Sequence, residues 1–464
     1  MDPLSLRKIA EFAHGSLSAG DAALTVSRVS TDSRTLQTGD LFVPLRGENF
    51  DGHKFVEQAS ERGAVGAMVE ESWKGATSKC FAVIRVPDTL LGYQHLAANY
   101  RRSLPLKVIA ITGSNGKTST KDFVAATLSR GFRVTKTEGN FNNHVGLPQS
   151  MLAASSSDEI AVWEIGMNHP GEIAALSKLA MPDAAIITNV GLAHIEFMGS
   201  REAIAAEKGA LAEAVGADGT VILNADDPFS QGIAEQTRAK VIFAGIENGS
   251  IHANEVSQSP TGCEFTIREG AHRCRAQLPV PGIHMVQNAM LAVAAGRAFG
   301  LSLEDCAAGL ASTPLTKARL QIKEINGIQF IDDSYNANPD SMRAALRTLV
   351  ELDTDGRRIA VLGQMSELGE ESERRHREVG KAAAAFGIDE LIAVGAAGVE
   401  MANAAQKAGL RKSISVAAAE DAAELLAETA SPGDLILVKG SRSARMERVL
   451  EALSKRPSTA EVTP

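Results

Sequence analysis

A mixed α/β protein of three domains, the central one built on a mostly parallel sheet, is the fold class this sequence predicts. Three observations carry it. Apolar runs at 108–112, 160–165, 184–189, 220–224 and 240–243 are separated by helix-length intervals, as in βαβ units whose strands are buried on both faces. The 464 residues are too many for one core, and at about 150 residues per domain they make roughly three domains. The apolar share of 44% and charged share of 22% belong to an ordinary globular chain with no sign of global disorder.

In chain order, residues 1–105 mix short strand-like runs such as 40–45 with helical stretches such as 53–62, predicting a small α/β domain that ends at Ser103-Leu104-Pro105. Residues 106–313 hold the parallel strands, then a stretch at 251–280 that reads as antiparallel hairpins and a helix at about 285–299, up to a boundary at Thr313-Pro314. Residues 314–464 repeat the α/β theme, with strands at 330–331, 359–362, 391–394 and 435–438, and predict a smaller doubly wound domain. Gly395-Ala-Ala-Gly398 reads as ordinary turn chemistry, and 454–464 as a frayed tail.

Composition excludes several function classes. A net charge of -9 without a long Lys/Arg block argues against a nucleic-acid surface. Cys80, Cys263, Cys274 and Cys306 form no Cys-x-x-Cys pair, so they read as free thiols of a reducing cytosol. The N-terminus lacks an apolar signal core, and no run nears the roughly 18 apolar residues of a membrane span. The expectation is a cytoplasmic protein.

The run Val108-Ile-Ala-Ile-Thr-Gly113-Ser114-Asn115-Gly116-Lys117-Thr118-Ser119 is a strand that breaks into a glycine-bearing turn and then a helix. The glycines let main-chain N–H groups converge on phosphate oxygens, and the helix N-terminus adds its positive dipole end. Lys117 supplies a fixed charge, and Thr118 a hydroxyl for Mg2+. It is the shorter form G-x-x-G-K-T, because Ile111 stands where the strict pattern has another glycine. ATP or GTP is therefore the first ligand to consider, and the central domain reads as a P-loop domain.

Other groups gather at the carboxyl ends of strands, where open α/β sheets bind ligands. Glu164 ends the run 160–164 and suits Mg2+ beside a nucleotide, against the alternative of a salt-bridged strand end. His194 follows the next strand. The loop Gly139-Asn140-Phe141-Asn142-Asn143 carries too many amides to be core, and offers donors and acceptors to something polar. Asp332-Asp333-Ser-Tyr335-Asn336-Ala-Asn338-Pro339 either holds a ribose or metal or caps the helix that follows. Lys439-Gly-Ser441-Arg442 makes an anion pocket or a solvated surface. Lys208, in a helix at 200–214, reads as a solvated charge.

Taken in order, Thr112 to Thr118, Gly139 to Asn143, Glu164, Asn189 with His194, Lys208-Gly209, Gly282-Ile-His284 with Asn288, Arg319, Asp332 to Pro339 and Lys439 to Arg442 resemble the Mur ligase family along the whole chain. The resemblance implies an ATPase centre flanked by an N-terminal domain for the UDP end of a substrate and a Rossmann-like C-terminal domain that closes over the site. Within the family, Thr31-Asp32-Ser33-Arg34, the stretch 40–48 and the element Asp332 to Pro339 imply by resemblance an activity that joins D-alanyl-D-alanine to UDP-N-acetylmuramoyl-tripeptide. By resemblance Asp32, Ser33 and Arg34 lie near the uridine nucleotide. Asn140, Asn142 and Asn143 lie near substrate or phosphates, and Tyr335, Asn336, Lys439, Ser441 and Arg442 also serve the substrate. Residues Gly113 to Ser119 bind ATP, Asn288 contacts adenine, Asp333 the ribose, and Arg319 the transferring phosphoryl group. Thr118 and Glu164 hold one Mg2+, while His194 and Lys208 serve a second, the lysine as a carbamate. Lys117, His194, Lys208 and Arg319 are the expected catalytic groups, in a chain expected to be a monomer. Ala318, Met285 and Gln364 stand where relatives often have Gly, Asn and Asp.

Overall fold

The computed structural model describes residues 1–75, 81–314 and 316–455. Cys80 and most of the expected C-terminal tail lie outside these residues; Ser454 closes the helix Glu447–Ser454. Among the described residues no helix is long and apolar enough to cross a membrane. Cys263 and Cys306 are buried free thiols.

Three principal sheets organise the chain. The N-terminal one has five strands, in the order Ser16–Ala19, Ala82–Val86, Gly66–Glu70, Leu41–Phe42 and Val29–Ser30. The strand expected at 40–45 is reduced to Leu41–Phe42. Pro44, with no N–H to give, follows soon after and stops the ladder. The helix expected at 53–62 begins as a 3-10 turn, Gly52–Phe55, capped by Asp51 accepting from the His53 N–H at 3.0 Å, before the α-helix Val56–Glu61.

Nine strands make the central sheet, with Lys107–Thr112 flanked in parallel by Ile160–Glu164 on one side and Ala184–Ile187 on the other. Val108 to Ile111 are wholly buried, as strands covered on both faces require. Because the chain crosses to opposite sides of Lys107–Thr112, a crevice opens at that strand's carboxyl end, directly below the phosphate turn. The run expected to continue to 189 stops at Ile187, because Asn189 takes the turn's N–H groups instead of a ladder partner. The hairpin region forms as Ile251–Ser259, Gly262–Glu269 and His272–Leu278, antiparallel at the sheet's far edge.

The third sheet runs Gln321–Ile325, Ile328–Asp333, Leu435–Lys439, Arg358–Gly363, Glu390–Val394 and Lys412–Val416, parallel except for the first. Its first helix, Pro339–Glu351, has proline at the start. Asn338 caps it, accepting from the Ser341 N–H at 2.9 Å, while the Ser341 hydroxyl accepts the Asn338 N–H at 3.0 Å. Met342, Ala345, Leu346 and Leu349 recur at helical spacing and are buried. Each full-length apolar side chain among them is worth about 1.5–3 kcal/mol. The cap aims the helix N-terminus at the central sheet's crevice, so two sheets contribute strand and helix ends to one cleft.

Candidate active site

The cleft has a volume of about 840 Å³ and is lined from both the central and the C-terminal sheets. Its floor is the phosphate turn. Gly113 has φ +151°, and a Cβ there would sit 1.8 Å from the Thr188 hydroxyl. Gly116 has φ +79°, with the Asn288 amide 2.6 Å from where its Cβ would be. Both positions need glycine for conformation and for space. The Ser114 and Asn115 N–H groups are committed to Asn189, at 2.9 Å each. What remains for phosphate is the first turn of the helix Lys117–Leu128, which no side chain caps. Lys117 Nζ donates to the Gly113 carbonyl at 2.8 Å, and burial pushes its pKa down, partly offset by the charge of Glu164.

Glu164 is 2% exposed. Register pairs it with Ile111, beside the turn. One oxygen accepts from the Thr118 hydroxyl at 2.9 Å and the other from Asn142 Nδ2 at 2.7 Å. Arg319 Nη2 donates to Thr118 Oγ1 at 3.2 Å, and its guanidinium lies 4.3 Å from the centre of the Tyr335 ring. A hydroxyl and a carboxylate side by side at a phosphate turn suit Mg2+, which takes one or two carboxylates and completes its shell with phosphate oxygens and water. Among the described residues no group of three or more His, Cys, Asp and Glu side chains could hold a metal unaided.

Lys208 is not the solvated charge its sequence context suggests. The helix Arg201–Glu213, capped by Ser200, turns it inward to 1% exposure, with no hydrogen bond or ion pair among the described residues. Burial, and then the charge of Lys117, hold its pKa well below the ordinary lysine value. A neutral amine so placed does not itself suit a metal site beside Lys117; an N-carboxylate would. His194, in the left-handed region at φ +62°, lies with Nδ1 2.6 Å from Glu367 Oε2 of the C-terminal sheet's loops.

Asp333 and Lys439 are register partners on parallel strands, and their side chains meet at 2.5 Å. Lys439 is 3% exposed and also donates to the Asn336 carbonyl at 2.9 Å. It is therefore neither surface nor a free anion donor. Asp332 is bound by Lys323 at 2.5 Å, and the following helix is capped by Asn338, so neither aspartate is the cap. Ser441 is buried, its N–H given to the Gln364 carbonyl at 3.0 Å; Arg442 lines the cleft and pairs with Glu447 at 2.9 Å. His284, half-buried beside these groups, is pushed down to about 4 by loss of solvent and is neutral near pH 7.

Asn140, Asn142, Asn143, Asn288, Tyr335 and Asn336 all border the cleft. Asp32, Ser33 and Arg34 do not: Arg34 folds back on Asp32 at 2.8 Å, and the Ser33 carbonyl accepts from Arg62 at 2.8 Å. Sequence reasoning passed over two groups that tie the C-terminal sheet to the centre. Asp340 accepts from the Leu192 N–H at 2.8 Å, beside the bond from Asn338 Nδ2 to Asn115 Oδ1, also 2.8 Å. Glu367 is the other. Both follow the carboxyl end of a strand, which is the signal that could have found them.

Ala318 has φ +57°, a region that costs a non-glycine residue about 1–2 kcal/mol. Such a conformation favours glycine, the residue the family resemblance leads one to expect here. Replacing Ala318 with Gly is expected to raise the unfolding free energy by about 0.5–1 kcal/mol, after the entropy gained by the unfolded chain is subtracted. A urea midpoint that stays put or falls would contradict the strain.

Three family models match the chain: the Mur ligase family catalytic domain at 25–89, the Mur ligase middle domain at 111–296 and the Mur ligase glutamate ligase domain at 318–442. The UDP-N-acetylmuramoyl-tripeptide–D-alanyl-D-alanine ligase of Bacillus subtilis is 42% identical over 98% of this chain and 99% of that protein. The enzyme of the same name from Escherichia coli is 36% identical, over 98% and 99%. A crystal structure of MurF from Acinetobacter baumannii superposes with a TM-score of 0.90 at 33% identity, covering 98% of this chain and all of that one. MurF of Thermotoga maritima, in complex with ADP, gives 0.81 at 28%, covering 92% and 97%. The chain belongs to the Mur ligase family.

Proposed function

We propose that this chain is the ATP-dependent, ADP-forming ligase that joins D-alanyl-D-alanine to UDP-N-acetylmuramoyl-tripeptide, the last cytoplasmic step of the peptidoglycan precursor peptide. The observation that carries the reading is the linked set Lys117, Thr118, Glu164 and Arg319 at one phosphate turn, in a chain that aligns end to end with ligases of that name. All of these groups come from one chain, so a monomer suffices.

A carboxylate resists an amine because its charge is delocalised and oxide is a poor leaving group. Activation solves both problems. Lys117 and the first-turn N–H groups of its helix neutralise phosphate oxygens while Arg319, braced on Tyr335, meets charge on the transferring group. The tripeptide's terminal carboxylate oxygen attacks the γ-phosphorus, ADP leaves, and an acyl phosphate results. The dipeptide's ammonium gives one proton to solvent, the resulting amine attacks the carbonyl carbon, and phosphate leaves carrying the second proton as the peptide bond closes. The C-terminal sheet's contacts through Asn338 and Asp340 keep water from the acyl phosphate. Mg2+, held by Thr118 and Glu164 with a second ion served by His194 and carbamylated Lys208, would supply charge neutralisation on the phosphates. The remaining assignments follow the same reading: Ser114, Asn115 and Ser119 line the nucleotide's path, Asn288 contacts adenine and Asp333 the ribose. Asp32, Ser33 and Arg34 serve the UDP end, with Asn140, Asn142, Asn143, Asn336 and Arg442 along the peptide.

Phosphate release is expected to require both the nucleotide tripeptide and D-alanyl-D-alanine. A coupled ADP-release assay across candidate nucleotide-peptide and amine pairs tests this. Release that continues undiminished without the dipeptide would indicate a P-loop switch or mechanical ATPase. Activity with folate and glutamate instead would indicate a folylpolyglutamate synthase.

A further inference from the structure

We propose that Glu367 seats the ammonium group of the incoming dipeptide and so selects the amine substrate; the inference rests on the ligase reading above. The cleft is built for anions, with Lys117, Arg319 and Arg442 along it, yet one of its substrates arrives as a cation at its reacting end. A carboxylate with room for that cation is required. Most acidic groups there are spent. Glu164 has both oxygens bonded, by Thr118 and Asn142, and Asp226 and Asp227 are taken up by backbone N–H groups. Lys439 neutralises Asp333, and Asp340 is turned onto the Leu192 N–H.

Glu367 differs in three respects. Its Oε2 touches His194, but Oε1 has no partner among the described residues, and the side chain is 42% exposed to the cleft. Its backbone is held at φ +61°, outside the range a glutamate prefers, which directs the side chain inward and is a form of strain that collects at functional sites. It also lines the same cleft as Lys117 and the phosphate turn, where the amine must arrive. The adjacent Ser366 hydroxyl lies 2.8 Å from that of Ser443, next to Arg442. The same wall therefore offers a carboxylate for an ammonium and, for a carboxylate, two hydroxyls beside the Arg442 guanidinium, which also holds Glu447; these are the two ends of a zwitterionic dipeptide. Because the wall belongs to the C-terminal sheet, it is complete only with that sheet docked on the centre.

The test uses Glu367→Gln, which keeps size and one oxygen, with folding checked by circular dichroism. At saturating ATP and nucleotide tripeptide, the KM for D-alanyl-D-alanine is expected to rise about tenfold to a hundredfold, the loss typical of a charge-assisted bond, with the KM for ATP unchanged. Hydroxylamine, mostly uncharged near neutral pH, captures the acyl phosphate without needing an ammonium seat. Hydroxamate formation in the variant should match the unaltered protein, and Glu367→Asp should recover part of the dipeptide affinity. An unchanged KM for the dipeptide, or equal loss with both nucleophiles, would overturn the proposal; equal loss would mean that Glu367 acts only through His194. Failure of the unaltered protein to form hydroxamate or peptide would instead count against the ligase reading itself.

Discussion

Lys117→Ala is expected to lower turnover by about 10³-fold or more while leaving the fold intact. The lysine's ammonium is the one fixed cation inside the phosphate turn, and it is only half-buried, so truncation opens little cavity. It donates to the Gly113 carbonyl at 2.8 Å, a bond it can exchange for phosphoryl oxygens at small cost. Water fills the gap poorly, because solvent dipoles must reorganise as charge moves from the γ-phosphoryl to the leaving ADP, whereas a positioned ammonium does not. Arginine should not rescue it: the planar fork is longer and cannot occupy the point between Gly113 and the helix start. The measurement is single-turnover ADP formation with both peptide substrates present, and a loss smaller than about tenfold would remove Lys117 from the chemistry.

Groups set by strand and turn chemistry were legible in the sequence. Thr118, Glu164 and the two glycines stand at strand ends or in a turn, and those positions follow from the order of apolar runs alone. The parallel strands of the central and C-terminal sheets were legible for the same reason, since burial on both faces leaves an unbroken apolar run. Three of the edge strands were not. Val134–Lys136 is three residues of intermediate burial, and Lys412–Val416 is a mostly exposed edge whose Ile414 itself faces solvent, so neither carries a buried apolar run. Gln321–Ile325 is equally polar and is held by its hairpin partner.

Side chains whose character depends on tertiary contact stayed hidden as well. Lys439 looks like an anion receptor until register sets it against Asp333, a neighbour more than a hundred positions away. Asp340 and Glu367 become cleft residues only because their sheet docks on the central one. Ala318 shows the reverse case, in which the departure from a glycine was visible in the sequence but its cost appears only with the positive φ.

Lys208→Ala is expected to lower turnover by about 10²-fold or more and to be partly restored by formate or acetate. An ammonium buried without a partner is unfavourable, and its proton affinity is reduced by burial and by Lys117. Between that reduced pKa and the ordinary lysine value of 10.5, the unfolded chain binds a proton that the folded chain does not. Stability contributed by this group therefore rises with pH through that window, and at neutral pH the unmodified side chain is a cost. Folding thus favours a neutral amine, which is the form that adds to CO2: the nitrogen lone pair attacks carbon, a proton is released, and an N-carboxylate remains. The negative charge of such a group would reverse the repulsion by Lys117. Lys208→Met should accordingly be no less stable than the unaltered protein at neutral pH, yet inactive and not rescued, because methionine fills the space a small carboxylate would need. Restoration of the alanine variant alone, seen as a saturable rise in ADP release with added formate, separates a carboxylate's role from simple packing. Full activity of the methionine variant would show that Lys208 serves the fold only.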